Sequence, residues 1–323
     1  MVFIKVLVYL SMCNIHYEFA KSQERKQTSF SGLRKSAEPL SAILKTTSMK
    51  QIFGIFTILL SGILNAQTIN GKIISKENNE TIPFARIGIE NENFGAIADE
   101  NGNYSIDLTN IDRNKNLTVQ IGGFINFSQS IQNFIDGNHT ISLTEKVVEI
   151  QEVILNPKKY YEKNWGTNAK TTKVQFGFNP ARSKEDKSKE FGVNFSNNKK
   201  VKLQKINLNI VDLKTDKPLL ISFNVYSEKN GLPDKSLLNE NLTIELTENK
   251  IKDGTFSFDV SDKNVWINKQ DFFVTMQVMN GFDGWIYLSG AMFKTVYYRN
   301  FYGPWLKKTI AQPALNIDVK IEK

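Results

Sequence analysis

One cysteine, Cys13, and two histidines, His16 and His139, are all the thiol and imidazole this 323-residue chain contains. A single cysteine cannot close a disulfide within the chain. Two histidines leave little for a His-rich zinc site or a Ser–His–acid triad. Long apolar runs are missing as well. The best is Ile52–Leu64, short of the roughly 20 residues a helix needs to span a bilayer. There is no G-x-S-x-G segment and no Gly-rich phosphate loop. Sustained 3.6-residue apolar periodicity is lacking too, so no sizeable helix is expected.

What is present begins with that apolar run. MKQIFGIFTILLSGILNAQ, Met49 to Gln67, has a lysine after a methionine, an apolar middle and the small-residue ending Leu64-Asn65-Ala66. This is the layout of a secretory signal peptide. It predicts an exported protein of the periplasm, outer-membrane surroundings or cell surface. Residues 49–66 are then the signal, cleavage leaves Gln67 first, and residues 1–48 are an over-extended start. Two competing topologies stay open. Leu10-Ser11-Met12-Cys13 faintly resembles a lipoprotein cleavage site, though Met12 is large for its position, and Ile52–Leu64 could anchor the chain in a membrane. Cleavage would remove Cys13, His16, eight of the 41 basic residues and three of the 33 acidic ones. The formal charge of +8 then falls to about +3 with mixed signs, which argues against a nucleic-acid partner.

From Thr68 onward short alternating runs recur between Gly/Asn/Asp clusters, the pattern of an all-β sandwich. Expected strands are 69–75, 84–90, 95–98, 103–108, 117–121, 124–131, 140–143 and 150–155. Asn101-Gly102 suits a tight hairpin turn, with Tyr104, Ile106 and Leu108 facing the core and Ser105 and Asp107 facing water. Asp99-Glu100-Asn101 could hold calcium but lacks further ligands at fixed spacing, so turn chemistry is expected there.

The order GKIISKENNETIPFARIGIENENFGAIADENGNYSIDL, then LTVQIGGF, then ISLTEKVVEIQEVIL resembles the carboxypeptidase-like regulatory domain of exported Bacteroidetes-type proteins over residues 68–155. Gly71, Pro83-Phe84-Ala85, Asp99–Tyr104, Gly122–Phe124 and Glu152-Val153 carry the likeness, with Ala98 and Phe124 departing mildly from the usual residues. The resemblance implies a seven-stranded, transthyretin-like Greek-key sandwich without catalytic activity or cofactor. Such domains accompany a metallocarboxypeptidase in some proteins and precede an outer-membrane barrel in others, and neither is expected after Leu155. The roughly 168 residues after Leu155 are too few for a 22-strand barrel, so no integral membrane barrel is expected.

Residues 156–170 are polar and read as a linker. A second, jelly-roll-like β domain is expected over 171–323. Its strands are placed at 201–213, 219–227, 242–246, 254–260, 272–279, 285–288, 292–301 and 315–321. His139 falls in a turn and is expected to be solvated. Asp259 with Asp262, or Asp271 with Asp283, could support a carboxylate-dependent hydrolase only if the fold brings them together. The richer signal is aromatic, GFDGWIYLSGAMFKTVYYRNFYGPW over 281–305. Alternation there puts Tyr297 and Tyr298 on opposite faces, so one set lies outside that sheet's core. Trp285, Tyr287, Tyr298, Tyr302 and Trp305 are the ligand-binding candidates, offering apolar plates with a polar edge to glycan or to a cell-envelope protein. Burial at a core or domain interface is the competing reading. No metal site, cofactor or catalytic residue is expected.

Overall fold

The structure, a computed structural model, describes residues 68–146, 159–182 and 189–323. Ala66–Lys323 form one compact unit. The signal segment, Cys13 and the expected strand at 150–155 lie outside the described residues. So do the first residues of the expected linker.

The chain is almost entirely β. Its first part contains β1 (Thr68–Ser75), β2 (Arg86–Ile89), β3 (Gly95–Ile97), β4 (Asn103–Asp107), β5 (Asn116–Gln120), β6 (Phe127–Ser130), the one-turn helix α1 (Ile131–Ile135) and β7 (Thr140–Leu143). Two sheets result, ordered β4-β1-β7 and β3-β2-β5-β6. β1 and β7 are parallel, and the other pairs are antiparallel. Ile73, Ile87, Ile89, Leu117, Val119 and Phe134 fill the core between them. Along β4, Tyr104 and Ile106 are buried while Asn103, Ser105 and Asp107 are exposed, as alternation requires.

The turn before β4 forms as expected. Gly102 takes φ +74°. Asp99 accepts from the backbone N–H groups of Asn103 and Asn101, which hold its carboxyl below the usual range. The hairpin does not form, because β3 pairs with β2 and β4 with β1. The turn carries the chain from one sheet to the other. His139 is half-buried, its ring against Phe134.

The second part contains β8 (Tyr160–Gly166), β9 (Gln175–Phe178), β10 (Lys189–Phe195), β11 (Val201–Thr215), β12 (Leu219–Lys229), β13 (Leu232–Ser236), β14 (Leu242–Leu246), β15 (Ile251–Lys252), β16 (Thr255–Asp259), β17 (Trp266–Ile267), β18 (Phe272–Val278), β19 (Gly284–Asn300), β20 (Leu306–Pro313) and β21 (Leu315–Glu322). These strands form one hydrogen-bonded network, folded over because two long strands serve both layers. β11 pairs with β21 and β16 through its first half and with β19 through its second. β19 pairs with β20 on both sides of a bulge at Met292/Thr295 and, beyond it, with β10. Strands that switch layers at bulges make the corners of sandwiches. One layer is β8-β21-β11-β16. The other is β12-β18-β10-β19. Phe223, Phe272, Val274, Met276, Ile317 and Val319 are among the side chains buried between them.

Three expectations change. The stretch read as a linker is a strand over Tyr160–Gly166. Tyr161 and Trp165 pack on the main core and the backbone pairs with β21, which offsets its polar composition. The expected strands at 285–288 and 292–301 are one strand, β19, bent at Phe293 with φ +60°. β9, β10, β13, β15, β17 and β20 were not expected.

Phe223 is fully buried and its ring lies 5.9 Å from that of Phe258. Truncation leaves a cavity that packed β strands cannot collapse. Phe223→Ala is therefore expected to cost about 3–5 kcal/mol, read as a lowered urea midpoint with an unchanged slope.

Candidate functional site

The five aromatic candidates do not share one surface. Trp285 and Tyr287 alternate with the core residues Ile286 and Leu288 on β19, so both face away from the core, and both are half-buried. Trp285 Nε1 donates to Asp212 Oδ2 at 2.6 Å, with the Lys214 ammonium 5.5 Å from its ring. Tyr287 OH accepts from Asn179 Nδ2 at 2.9 Å. Tyr298 packs on the main core. Tyr297 faces the other way and lies edge-on to Phe273 at 4.8 Å. Tyr302 is only 9% exposed and donates its hydroxyl to the Arg86 carbonyl at 2.8 Å. Trp305 is half-buried, edge-on to Tyr226 at 5.8 Å, with the Arg299 guanidinium 4.3 Å from its ring.

Tyr302 and Trp305 therefore belong to a seam where β2 meets the outer face of the β12-β18-β10-β19 layer. Both faces of that layer are buried at its centre, where β18 has no exposed residue. One face is the main core. The other carries Tyr226, Glu190, Thr275, Gln277 and Arg299, and Arg86 from β2 enters among them. Two glycines make the approach possible. A Cβ on Gly88 would lie 2.4 Å from the Tyr302 ring, and one on Gly95 2.7 Å from the Phe301 ring. Asn91 N–H also donates to the Tyr302 carbonyl at 3.0 Å.

At the centre of the seam one carboxylate meets two guanidinium groups. Glu190 is fully buried, and Arg86 is 4% exposed. Arg86 Nη1 lies 2.5 Å and Arg299 Nε 2.9 Å from Glu190 Oε2. Glu190 Oε1 accepts from Thr275 Oγ1 at 2.6 Å and from Tyr226 OH at 3.0 Å. Arg86 Nη2 reaches Gln120 Oε1 at 3.1 Å and Tyr226 OH at 3.2 Å. The second positive charge is met by π faces: Arg86 lies over Tyr302 at 4.9 Å, and Arg299 over Trp305. Burial pushes the Glu190 pKa up, but Arg299 and Arg86 outweigh it and bring it down to about 2. Burial likewise raises the Tyr302 hydroxyl to about 12, so it remains a donor.

The outer face of the β8-β21-β11-β16 layer is open and polar. A groove of about 440 Å³ runs over it, lined by Glu162, Asn164, Gln204, Lys205, Asp259 and Asp318 together with Lys163 and Ser261. Asn164 Nδ2 donates to Asn316 Oδ1 and to Asp318 Oδ1, both at 2.7 Å. The Ser261 hydroxyl and N–H hold the Asp259 carboxyl below its usual range. Further along the same face, Tyr160 and Trp266 stand 6.2 Å apart. They are 36% and 37% exposed, and lysines surround them. Neither ring was among the sequence candidates. Tyr160 lies in the stretch read as a linker, and Trp266 sits on a two-residue strand. The spacing of Tyr161, Lys163 and Trp165 was the available signal. Among the described residues no group of three His, Cys, Asp or Glu stands together as a metal site.

The strand pattern of the first part, with its turn at Asp99–Gly102, agrees with comparison to known families. Residues 69–155 match a CarboxypepD_reg-like domain. This is a non-catalytic β-sandwich family typical of exported proteins. Arg86, Gly88 and Gly95 are thus the residues by which the CarboxypepD_reg-like domain meets the second part. Among solved structures, the crystal structure of a variant of BcpA, the major pilin subunit of Bacillus cereus, is 11% identical and covers 77% of this chain and 68% of its own, at a TM-score of 0.16. No curated protein matches.

Replacing Glu190 by Gln would leave two buried guanidinium groups without their anion. We expect a loss of about 3–5 kcal/mol. The folded pKa lies below the ordinary value of 4.5, so this carboxylate's contribution is complete above about pH 4.5 and fades as pH falls toward about 2. Acid titration of stability should show that loss in the parent chain and a smaller one in Glu190→Gln.

Proposed function

We propose that this chain is an exported, non-catalytic binding or adhesion protein of the periplasm or cell surface, whose second sandwich recognises glycan. The CarboxypepD_reg-like domain acts as a fixed brace, since a buried ionic seam holds it against one layer and leaves the other layer's face free. The groove on that free face carries the reading. Carboxylates, amides and two lysines on a rigid sheet match the hydroxyl-rich edges of a sugar chain, which both donate and accept. Export rests on the signal-like segment at Met49 and on the family's usual setting. Among the described residues no helix is long and apolar enough to cross a membrane.

Hydrolysis is a weaker reading of the same groove. Asp259 and Asp318 both pair with Lys205 from opposite sides, about two strand spacings or ~10 Å apart. A glycosidase acid needs a raised pKa, whereas Asp259 is held low.

A second binding reading, a protein partner, is favoured by the apolar side chains of the β19–β20 ladder. Phe293 is 88% exposed at the bulge, beside Met292, with Ile310 on the facing strand at 53%. Such clusters on a surface mark contact sites.

Export predicts that the protein isolated from its cells begins at or near Gln67; sequencing that finds Met1 would overturn cleavage. The glycan reading predicts slower migration in gels containing neutral or acidic polysaccharides than in plain gels. No retardation by any polymer favours the protein partner, and release of reducing ends favours the hydrolase. Loss of retardation in Trp285→Ala would place the site at Trp285 and Tyr287.

A further inference from the structure

The lysine-ringed end of the open face narrows the ligand class. Strand register sets the arrangement. Glu162 pairs with Lys320, Lys320 with Lys202, and Lys202 with Trp266. These four side chains form one row across β8, β21, β11 and β17. Tyr160 opens the neighbouring row, opposite Glu322. The Lys320 ammonium lies 4.8 Å from the Tyr160 ring centroid. Those of Lys200 and Lys202 lie 5.2 and 5.9 Å from the Trp266 centroid. Beyond this row a second hollow, about 710 Å³, is lined by Lys199, Lys200, Lys269 and Lys323 with two asparagines and Glu322. Among the described residues none of Lys199, Lys200, Lys202, Lys269, Lys320 and Lys323 is in a salt bridge, and Lys202 Nζ donates to Asn264 Oδ1 at 2.9 Å.

We propose that this end of the face, Tyr160 and Trp266 with Lys200, Lys202 and Lys320, binds the carboxylate-bearing sugars of an acidic polysaccharide. The inference rests on the glycan reading above and names its chemical class. Two partly exposed rings offer flat apolar surface to the C–H face of a pyranose. Ammonium groups at their edges can leave the π faces to pair with carboxylates, on flexible stems that reach either position. Glu162 at the end of the first row, with Asn164 and Asp318 in the adjoining one, suits hydroxyl donors and repels a continuous phosphodiester backbone. A ligand carrying both carboxylates and hydroxyls satisfies both rows. A nucleic acid satisfies only the first.

The test is affinity electrophoresis of the full chain in gels containing polygalacturonate, dextran, or a thymidine homopolymer oligonucleotide as competitor. Polygalacturonate should retard the protein and dextran should not, with retardation weakening several-fold between low salt and about 0.3 M salt as screening shortens the reach of the charges. Trp266→Ala should weaken binding about tenfold, the equivalent of 1.4 kcal/mol. The triple change Lys200→Gln, Lys202→Gln, Lys320→Gln should abolish it, and the corresponding triple arginine variant should restore it. Unchanged thermal unfolding of the glutamine variant shows that the loss is not misfolding. Retardation by dextran alone would overturn the acidic class while leaving the glycan reading in place. Polygalacturonate binding that survives the lysine changes, or disappears in Trp285→Ala instead, would overturn the site. Equal binding of the oligonucleotide with the same lysine dependence would overturn the sugar assignment. Retardation by no polymer would remove the glycan reading itself.

Discussion

One carboxylate, Glu190, holds the two halves of this molecule in register. It is reached by Arg86 from the CarboxypepD_reg-like domain and by Arg299 from its own sandwich. Two positive charges share one negative charge away from water, so the arrangement is tolerable only while every polar atom is engaged. Thr275, Tyr226, Gln120 and Gln277 engage them, and the rings of Tyr302 and Trp305 take up the remaining charge. Buried ion pairs of this kind contribute little net stability compared with an apolar contact. What they supply is intolerance of misplacement. A slip of β2 by one residue would turn Arg86 into its own core and present Ile87 to Glu190.

This constraint explains the surrounding residues. Glycine in a strand is ordinarily a weakness, yet β2 and β3 each place one where an aromatic ring of the 300–305 turn must lie. The outer face of β18 is polar in its second half yet buried, which a sheet facing solvent would not need. Tyr302 and Trp305 are aromatic because they must cover guanidinium groups. With that face occupied, it is the opposite layer whose amides and carboxylates lie open and whose lysines gather around two rings.

Much of the fold was legible before the structure. Alternation in segments such as Asn103–Leu108 and Leu315–Ile321 identifies strands and inward faces directly, because a half-buried strand must repeat every second residue. The first sandwich was legible as a family through its turns. Each failure has its own local cause. Tyr160–Gly166 looks like a linker because it is an edge strand, with only Tyr161 and Trp165 turned inward. Asn101-Gly102 looks like a hairpin because a turn's chemistry does not say which strands its arms will join. The aromatic run at 281–305 was visible, but composition cannot separate rings that cover a buried charge from rings that face a ligand. Trp266 went unmarked since a two-residue strand carries no period.

β8 has β21 as its one strand partner among those described, and Tyr161 must find Ile321 across almost the whole length of the second part. Such distant pairings are slow to form, because the intervening chain must be closed before any contact repays the loss of freedom. Tyr160, Glu162 and Asn164 ride on that strand. The open face is therefore expected to be among the later surfaces to form as the chain folds. A surface completed so late has its rings and lysines in position only once the interior beneath it is in place.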